Sequence, residues 1–353
     1  MNCADIALRL NNLFMKLVSY LKEGHDQLGL LIDDLIFDAD DVHPELPSSM
    51  NMFLNYWEDH YVIAQVVEAA IKDGRISKAR GTAYADVKLL SPVPFPSSCR
   101  DAYAFRQHVE TARKNRGAAM INAFFEYPVF YFSHIHSIQG AGNVVCMPDH
   151  LEQLDYELEV AIVISKAGRN IKAEEADEYI AGLMIMNDMS ARKLQLEEML
   201  LNLGPAKGKD FATAFGPALI TLDELKEFEV AAKENHVGKC WNLNMRCSVN
   251  GIELSNGNLA DMEWTFAEII ERASYGVTLY PGDIIGSGTV GTGCLLELNG
   301  TGKLNDPSYT EQWLKEADVI EMEVTGLGKL TNSIVKDESD FSILQRKKTQ
   351  TNQ

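Results

Sequence analysis

The segment Leu154–Ile164, LDYELEVAIVI, sets the reading of the chain around it. A period of two puts Glu157 and Glu159 on one face of a strand and Tyr156, Leu158 and Val160 on the other, and the run closes on the unbroken apolar AIVI. Both carboxylates project together. Set beside an apolar run in a partly buried place, they would repel each other unless a cation or basic group neutralised them. Taken alone, an E-x-E pair is read more simply as the solvated acidic face of an edge strand.

Strand patterns dominate on both sides of this segment: EYIAGLMIMNDM (178–189), GPALITL (216–222), WNLNMRCSVNGIEL (241–254), PGDIIGSGTV (281–290), CLLELNG (294–300) and DVIEMEVTGLGKLTNSIV (318–335). Helices are expected over 101–123 and 189–202. A third is expected at Trp264–Ser274, where Thr265 and Glu268 have capping-box spacing. Upstream, residues 16–40 break into short apolar bursts, the pattern of a β-meander. Phe53, Trp57, Tyr61, Ala64 and Val67 then recur at helical spacing. Pro92, Pro94 and Pro96 make a rigid extended connector. The expected organisation is therefore a small N-terminal β/helical domain over 1–94, with 1–14 as an appendage, a β-rich α+β main domain over 95–340, and a polar tail over 341–353.

With 353 residues and 46% hydrophobic content, the chain can bury a sizeable core. Its net charge of -19 disfavours nucleic acid and anionic membrane as partners, and an anionic substrate would need local cations. The N-terminal sequence lacks signal-peptide features, and no apolar run approaches the roughly 20 residues of a membrane span. A cytoplasmic location is expected. The six cysteines include no C-x-x-C pair and are read as reduced, mostly buried small side chains.

The acidic pair gains meaning from MNDMSARKLQ (186–195). There an apolar strand stops at Asn187–Asp188, and Arg192 and Gln195 follow at helical spacing. Three carboxylates without a Cys/His cluster favour a hard cation over zinc. The loop GPAKGKDFATAFGP (204–217) adds Lys207, Lys209 and Thr213. It fails as a phosphate-binding loop, being one residue short and carrying Asp210 where Ser or Thr would face magnesium. GSGTVG (286–291) matches a dinucleotide fingerprint, but the CLLELNG that follows is expected to be a strand, so these glycines are read as shaping a turn between strands.

Taken together and in this order, LDYELEVAIVI, MNDMSARKLQ, KGKDFATAFGP and LYPGDIIGSGT resemble the fumarylacetoacetate hydrolase family over roughly residues 85–335. The resemblance implies a mixed β-sandwich roll catalytic domain that pairs as a homodimer. It also implies a divalent metal, Mg²⁺ first with Ca²⁺ or Mn²⁺ as alternatives, held by Asp101, Glu157, Glu159 and Asp188 with Lys209 and Thr213 beside it, and no organic cofactor. In RDAYAFRQHV (100–109) the implied base is His108, seven residues after Asp101 and backed by Glu297. Arg192, Gln195 and Lys209 are implied to hold the oxyanion and enolate, and Tyr131 and Thr289 to contact substrate.

The implied activity is hydrolysis of a carbon–carbon bond in a small anionic diketo acid, fumarylacetoacetate first, as in tyrosine catabolism. Acylpyruvate hydrolysis, oxaloacetate decarboxylation and keto-acid isomerisation are alternatives on the same scaffold, and a non-catalytic metal-stabilised binding protein is the rival from another class. The His108–Glu297 pair tilts the choice towards hydrolysis. The chain departs from the family in a shortened loop at Val290–Cys294 and in Met199 at a substrate-facing tyrosine position. Arg113 and Arg116 are out of register with the family's substrate arginine.

Overall fold

The computed structural model describes residues 15–348. Its backbone is a twelve-stranded sheet whose main path runs Thr82–Ala83, Leu35–Asp38, His25–Ile32, Lys16–Lys22, Thr213–Thr221, Ile180–Asp188, Leu158–Ile164, Ile284–Gly286, Cys99–Ala102 and Phe130–Ser133. A five-stranded sheet packs against it, ordered Ile252–Asn258, Asn244–Val249, Val319–Val324, Gly328–Lys336 and Gly142–Cys146. The fold is thus a β-rich mixed architecture with a few helices.

Every residue of Leu158–Ile164 is buried, and the strand's alternation divides its side chains between two cores. Leu158, Val160, Ile162 and Ile164 pack with Met245, Cys247, Ile320 and Met322 of the second sheet. Ala161 and Val163 point the other way, to a core shared with Leu17, Leu30, Phe37, Phe53, Ala64 and Val67. A strand covered on both faces needs a continuous apolar run, which AIVI supplies.

The meander is present as Lys16–Lys22, His25–Ile32 and Leu35–Asp38, and its first strand pairs antiparallel with Thr213–Thr221, Leu17 opposite Leu219. The helical stretch after it forms Met50–Asn55 and Trp57–Lys72, interrupted at Tyr56. Helix Phe266–Ser274 starts with the expected capping box: Glu268 N donates to Thr265 Oγ1 at 3.2 Å and Thr265 N to Glu268 Oε2 at 2.9 Å.

Two expectations are corrected. Residues 101–123 are not one helix, because Cys99–Ala102 is a strand, pairing parallel with Ile284–Gly286 and antiparallel with Phe130–Ser133, and the helix starts only at Arg106. Asp101 and His108 therefore do not share a helix face. CLLELNG is not a strand but opens the helix Leu295–Asn305, although Gly300 and Gly302 each disfavour a helix by about 1 kcal/mol. The buried carboxylate of Asp155 decides this, accepting the Leu295 and Leu296 N–H groups at 2.7 and 2.9 Å. A helix does follow GSGTVG, yet the surrounding topology is not that of a dinucleotide site. The next strand after that helix, Val319–Val324, belongs to the five-stranded sheet and not to the sheet of Ile284–Gly286, so strand, helix and strand do not form a βαβ unit.

The proposed appendage 1–14 lies outside the described residues, as do 349–353 of the tail. Within 341–348, Asp149 accepts bonds from Ser342 Oγ, Ile343 N and Leu344 N, and Lys347 pairs with Glu197. No helix among the described residues is long and apolar enough to cross a membrane.

Candidate active site

Neighbouring strands of the large sheet bring the acidic residues together at one end. Thr213 lies opposite Asp188, Asn187 opposite Leu158, and Asp101 between Gly286 and Tyr131. Glu157 precedes its strand by one residue and is tied to the next: its N–H donates to Asn187 Oδ1 at 3.3 Å and its carbonyl accepts from Asp188 N at 3.3 Å. Gly286 permits the close approach of Asp101, since a Cβ there would stand 2.5 Å from Asp101 Oδ1 and 2.7 Å from Met186 Sδ. Gly288, at φ +81, turns its N–H onto the same Asp101 oxygen at 3.1 Å.

One oxygen each from Asp101, Glu157 and Asp188 lies within 4.8 Å of the others, all buried. Lys209 Nζ donates to Asp188 Oδ2 at 2.7 Å and to Glu157 Oε2. Tyr131 OH donates to Asp188 Oδ2, Thr213 Oγ1 to Asp188 Oδ1 at 3.4 Å, and Thr289 Oγ1 to Glu159 Oε1 at 3.2 Å. Arg192, at the start of helix Arg192–Met199, reaches Glu157 Oε1 at 2.7 Å, Asp155 Oδ2 at 2.8 Å and Gln195 Oε1 at 3.0 Å. Gly208 lets the lysine loop lie against that helix, since a Cβ there would stand 2.6 Å from Gln195 Cβ.

Behind Glu157 sits the second half of the site. A ring nitrogen of His108 lies within 4.8 Å of a Glu157 oxygen and of Cys294 Sγ. His108 Nδ1 is 2.8 Å from Glu297 Oε2, and Glu297 Oε1 accepts from Thr292 N at 3.0 Å. A carboxylate can only accept here, so Nδ1 donates, and in the neutral imidazole Nε2 is the atom with the lone pair.

The electrostatics are unbalanced. Asp101, Asp155, Glu157, Glu159 and Asp188 are buried beside two buried cations, Lys209 and Arg192. Burial works against the Glu157 charge, but Lys209 and Arg192, with His108 beyond, outweigh it and hold that carboxyl at about 2. Burial pushes Asp101 up to about 7, opposed by a hydrogen bond shared with Glu159 and by Lys209, with Asp188 and Glu157 adding to the rise. Burial, then Asp101, Glu157 and Asp188, raise Glu159 well above the carboxylate range. Glu159 Oε2 is buried with no hydrogen-bond partner. An all-oxygen cluster with excess negative charge and an orphaned carboxylate oxygen is the donor set of a hard divalent cation, so these residues fit one.

The residues implied as ligands and catalytic groups are thus brought to one place: the carboxylates with Lys209, Arg192, Gln195, Tyr131, Thr213 and Thr289 on one side, His108 and Glu297 on the other. Lys207 instead pairs with Asp210 at the surface, Met199 is exposed, and Arg113 and Arg116 donate to the backbone carbonyls of Ala119 and Ala112. Asp155 was missed, although the same period of two places it on the face of Glu157 and Glu159. Tyr103, packed edge-on against His108 with ring centroids 5.8 Å apart, carried no sequence signal.

A buried carboxylate cluster backed by a His–Glu pair, on a two-sheet scaffold, defines a class of enzymes acting on small acids. Residues 98–335 match the family model described as fumarylacetoacetate (FAA) hydrolase C-terminal, and the chain belongs to this family. It is 27% identical over 333 residues to an oxaloacetate tautomerase of Xenopus laevis, named as fahd2, mitochondrial, covering 92% of this chain and 91% of the relative. Among solved structures, the fumarylacetoacetate hydrolase of Exiguobacterium antarcticum superposes with a TM-score of 0.66 at 23% identity, covering 92% of this chain and all of the other. The maleylpyruvate hydrolase of Sphingobium sp. SYK-6, solved with manganese(II) and pyruvate, gives 0.63 at 20% identity with the same coverage. These two support the fold.

Proposed function

We propose that the protein is a divalent-cation-dependent enzyme that moves a proton at the carbon next to the carbonyl of a small 2-oxo acid, with keto–enol tautomerisation of oxaloacetate as the leading reading. The observation carrying the proton transfer is a His108 ring nitrogen, backed by Glu297, within 4.8 Å of a Glu157 oxygen of the carboxylate cluster. Such a base serves either reaction, so the choice of tautomerisation rests on the Xenopus relative. The Xenopus relative, matched along nearly the whole chain, supports oxaloacetate as the substrate.

Asp101, Glu157, Glu159 and Asp188 would hold the cation, Mg²⁺ first and Ca²⁺ or Mn²⁺ as alternatives, which when bound polarises a carbonyl as a Lewis acid and favours the enolate. His108 Nε2 takes the proton, and Glu297 stabilises the imidazolium that results. Lys209, kept charged because Asp188 and Glu157 outweigh the cost of its burial, supplies positive charge where the oxyanion develops, with Arg192 and Gln195 bordering the same place. Tyr131 and Thr289 orient the substrate.

A second reading, hydrolysis of a carbon–carbon bond in a diketo acid such as fumarylacetoacetate, is favoured by Glu297: an imidazole backed by a carboxylate can also deprotonate water. The test follows oxaloacetate enol absorbance, fumarylacetoacetate loss and acylpyruvate loss with Mg²⁺ or EDTA, for the wild type and His108→Ala. Metal-dependent enol turnover that falls in the variant supports tautomerisation. Cleavage of fumarylacetoacetate or an acylpyruvate without it moves hydrolysis to the front, and pyruvate release from oxaloacetate points to decarboxylation. Thermal stabilisation by Mg²⁺ with no turnover of any of these would make the chain a metal-stabilised binding protein. The proposed compartment is cytoplasmic, the mitochondrial name of the Xenopus relative giving the rival, and fractionation separates them.

A further inference from the structure

Cys294 is fully buried, and its Sγ lies within 4.8 Å of a His108 ring nitrogen and a Glu157 oxygen. It holds the N-cap position of helix Leu295–Asn305 but makes no capping bond, because Asp155 serves the first N–H groups instead. The sulfur is therefore not committed as a cap. His108 already has the outer partner that zinc-bound histidines use, since Glu297 holds Nδ1 and leaves Nε2 as the ligand atom. Thiolate, imidazole and carboxylate form a zinc donor set, three protein ligands with a position left open. The oxygen trio of Asp101, Glu157 and Asp188 suits a harder ion, and Glu157 belongs to both groups.

We infer that His108, Cys294 and Glu157 form a second, zinc-selective metal site that switches the enzyme off. Its inhibitory consequence rests on the proposed role of His108 as the base. Zinc occupies the Nε2 lone pair that would accept the proton and draws Glu157 away from the oxygen set. Binding releases the Cys294 thiol proton to solvent, so no oxidant or further reactant is required.

Cobalt(II) alone, added to the purified full-length protein, is the first probe, because a thiolate ligand gives it a charge-transfer band in the near ultraviolet. The wild type should show the band. Cys294→Ser and Cys294→Ala should both lose it while keeping the wild-type circular dichroism. Zinc should then inhibit Mg²⁺-supported turnover of the wild type, with the inhibiting concentration raised at least about tenfold in both variants, since even lost outer-shell partners typically cost 10–100-fold in affinity. Absence of the band in the wild type, its persistence in both variants, or unchanged zinc sensitivity would overturn the site. The cobalt spectrum is read without substrate, so it stands or falls independently of which small acid is turned over.

Discussion

Lys209 is the residue on which the charge balance of the site turns. It is buried between Glu157 and Asp188, and in the proposed reaction it stands where negative charge gathers. Lys209→Ala should lower kcat by roughly a hundredfold or more, the usual loss for one donor at an oxyanion, measured on whichever acid the protein turns over. His108→Ala should cost about 10²–10⁴-fold. Asp101 sets a pH dependence. Its folded pKa of about 7 lies above its ordinary value of 3.8, so the folded metal-free chain binds this proton more tightly than the unfolded one. That contribution to stability is fully present below pH 4 and is lost as pH rises towards 7. Melting temperature in EDTA should therefore fall across this window relative to an Asp101→Asn control. Mg²⁺ should bind more tightly as pH rises, releasing protons that calorimetry in two buffers would count.

At the scale of elements, Asp155 joins three of them. It lies beside the Glu157 strand, accepts from Arg192 at the start of one helix, and caps the helix that carries Glu297. Asp155→Ala would leave Arg192 partly unpaired in a dry interior and strip the cap. A loss of about 3–5 kcal/mol in urea unfolding is expected, as for other broken buried ion pairs. Gly286 is an equally local point of control. Gly286→Ala puts a Cβ against Asp101 and Met186, and Mg²⁺ affinity should drop with little change in overall fold, read by calorimetry and circular dichroism. The capping box at Thr265 was legible because all of its partners lie within four residues. Helix Leu295–Asn305 was not, because the carboxylate that starts it is 140 residues away in sequence.

The large sheet organises the whole molecule. The N-terminal meander continues it through the pairing of Lys16–Lys22 with Thr213–Thr221, and the helices after the meander cover the face to which Ala161 and Val163 point. A chain of residues 95–340 alone would expose that apolar face together with a long sheet edge. It should be insoluble or partly folded, whereas co-expression with 1–94 should restore a soluble complex. Soluble, cooperatively unfolding 95–340 would count against this dependence.

What the sequence determined by itself was everything carried by short-range periodicity. The alternation of Leu154–Ile164 placed Glu157 and Glu159 together, the abrupt end of an apolar strand marked Asp188, and the order of four short runs pointed to the family and its candidate residues. Tertiary structure alone decided whatever depends on partners distant in the chain. Asp101 lies on a strand because two other strands claim its backbone hydrogen bonds, and Glu297 on a helix because Asp155 satisfies that helix's first N–H groups. The His108–Cys294–Glu157 cluster arises only where helix Arg106–Asn115, the turn before Leu295 and the edge of the Leu158–Ile164 strand converge. Local propensity is worth a few tenths of a kcal/mol to about 1 kcal/mol per residue, and one buried, satisfied carboxylate outweighs several such preferences.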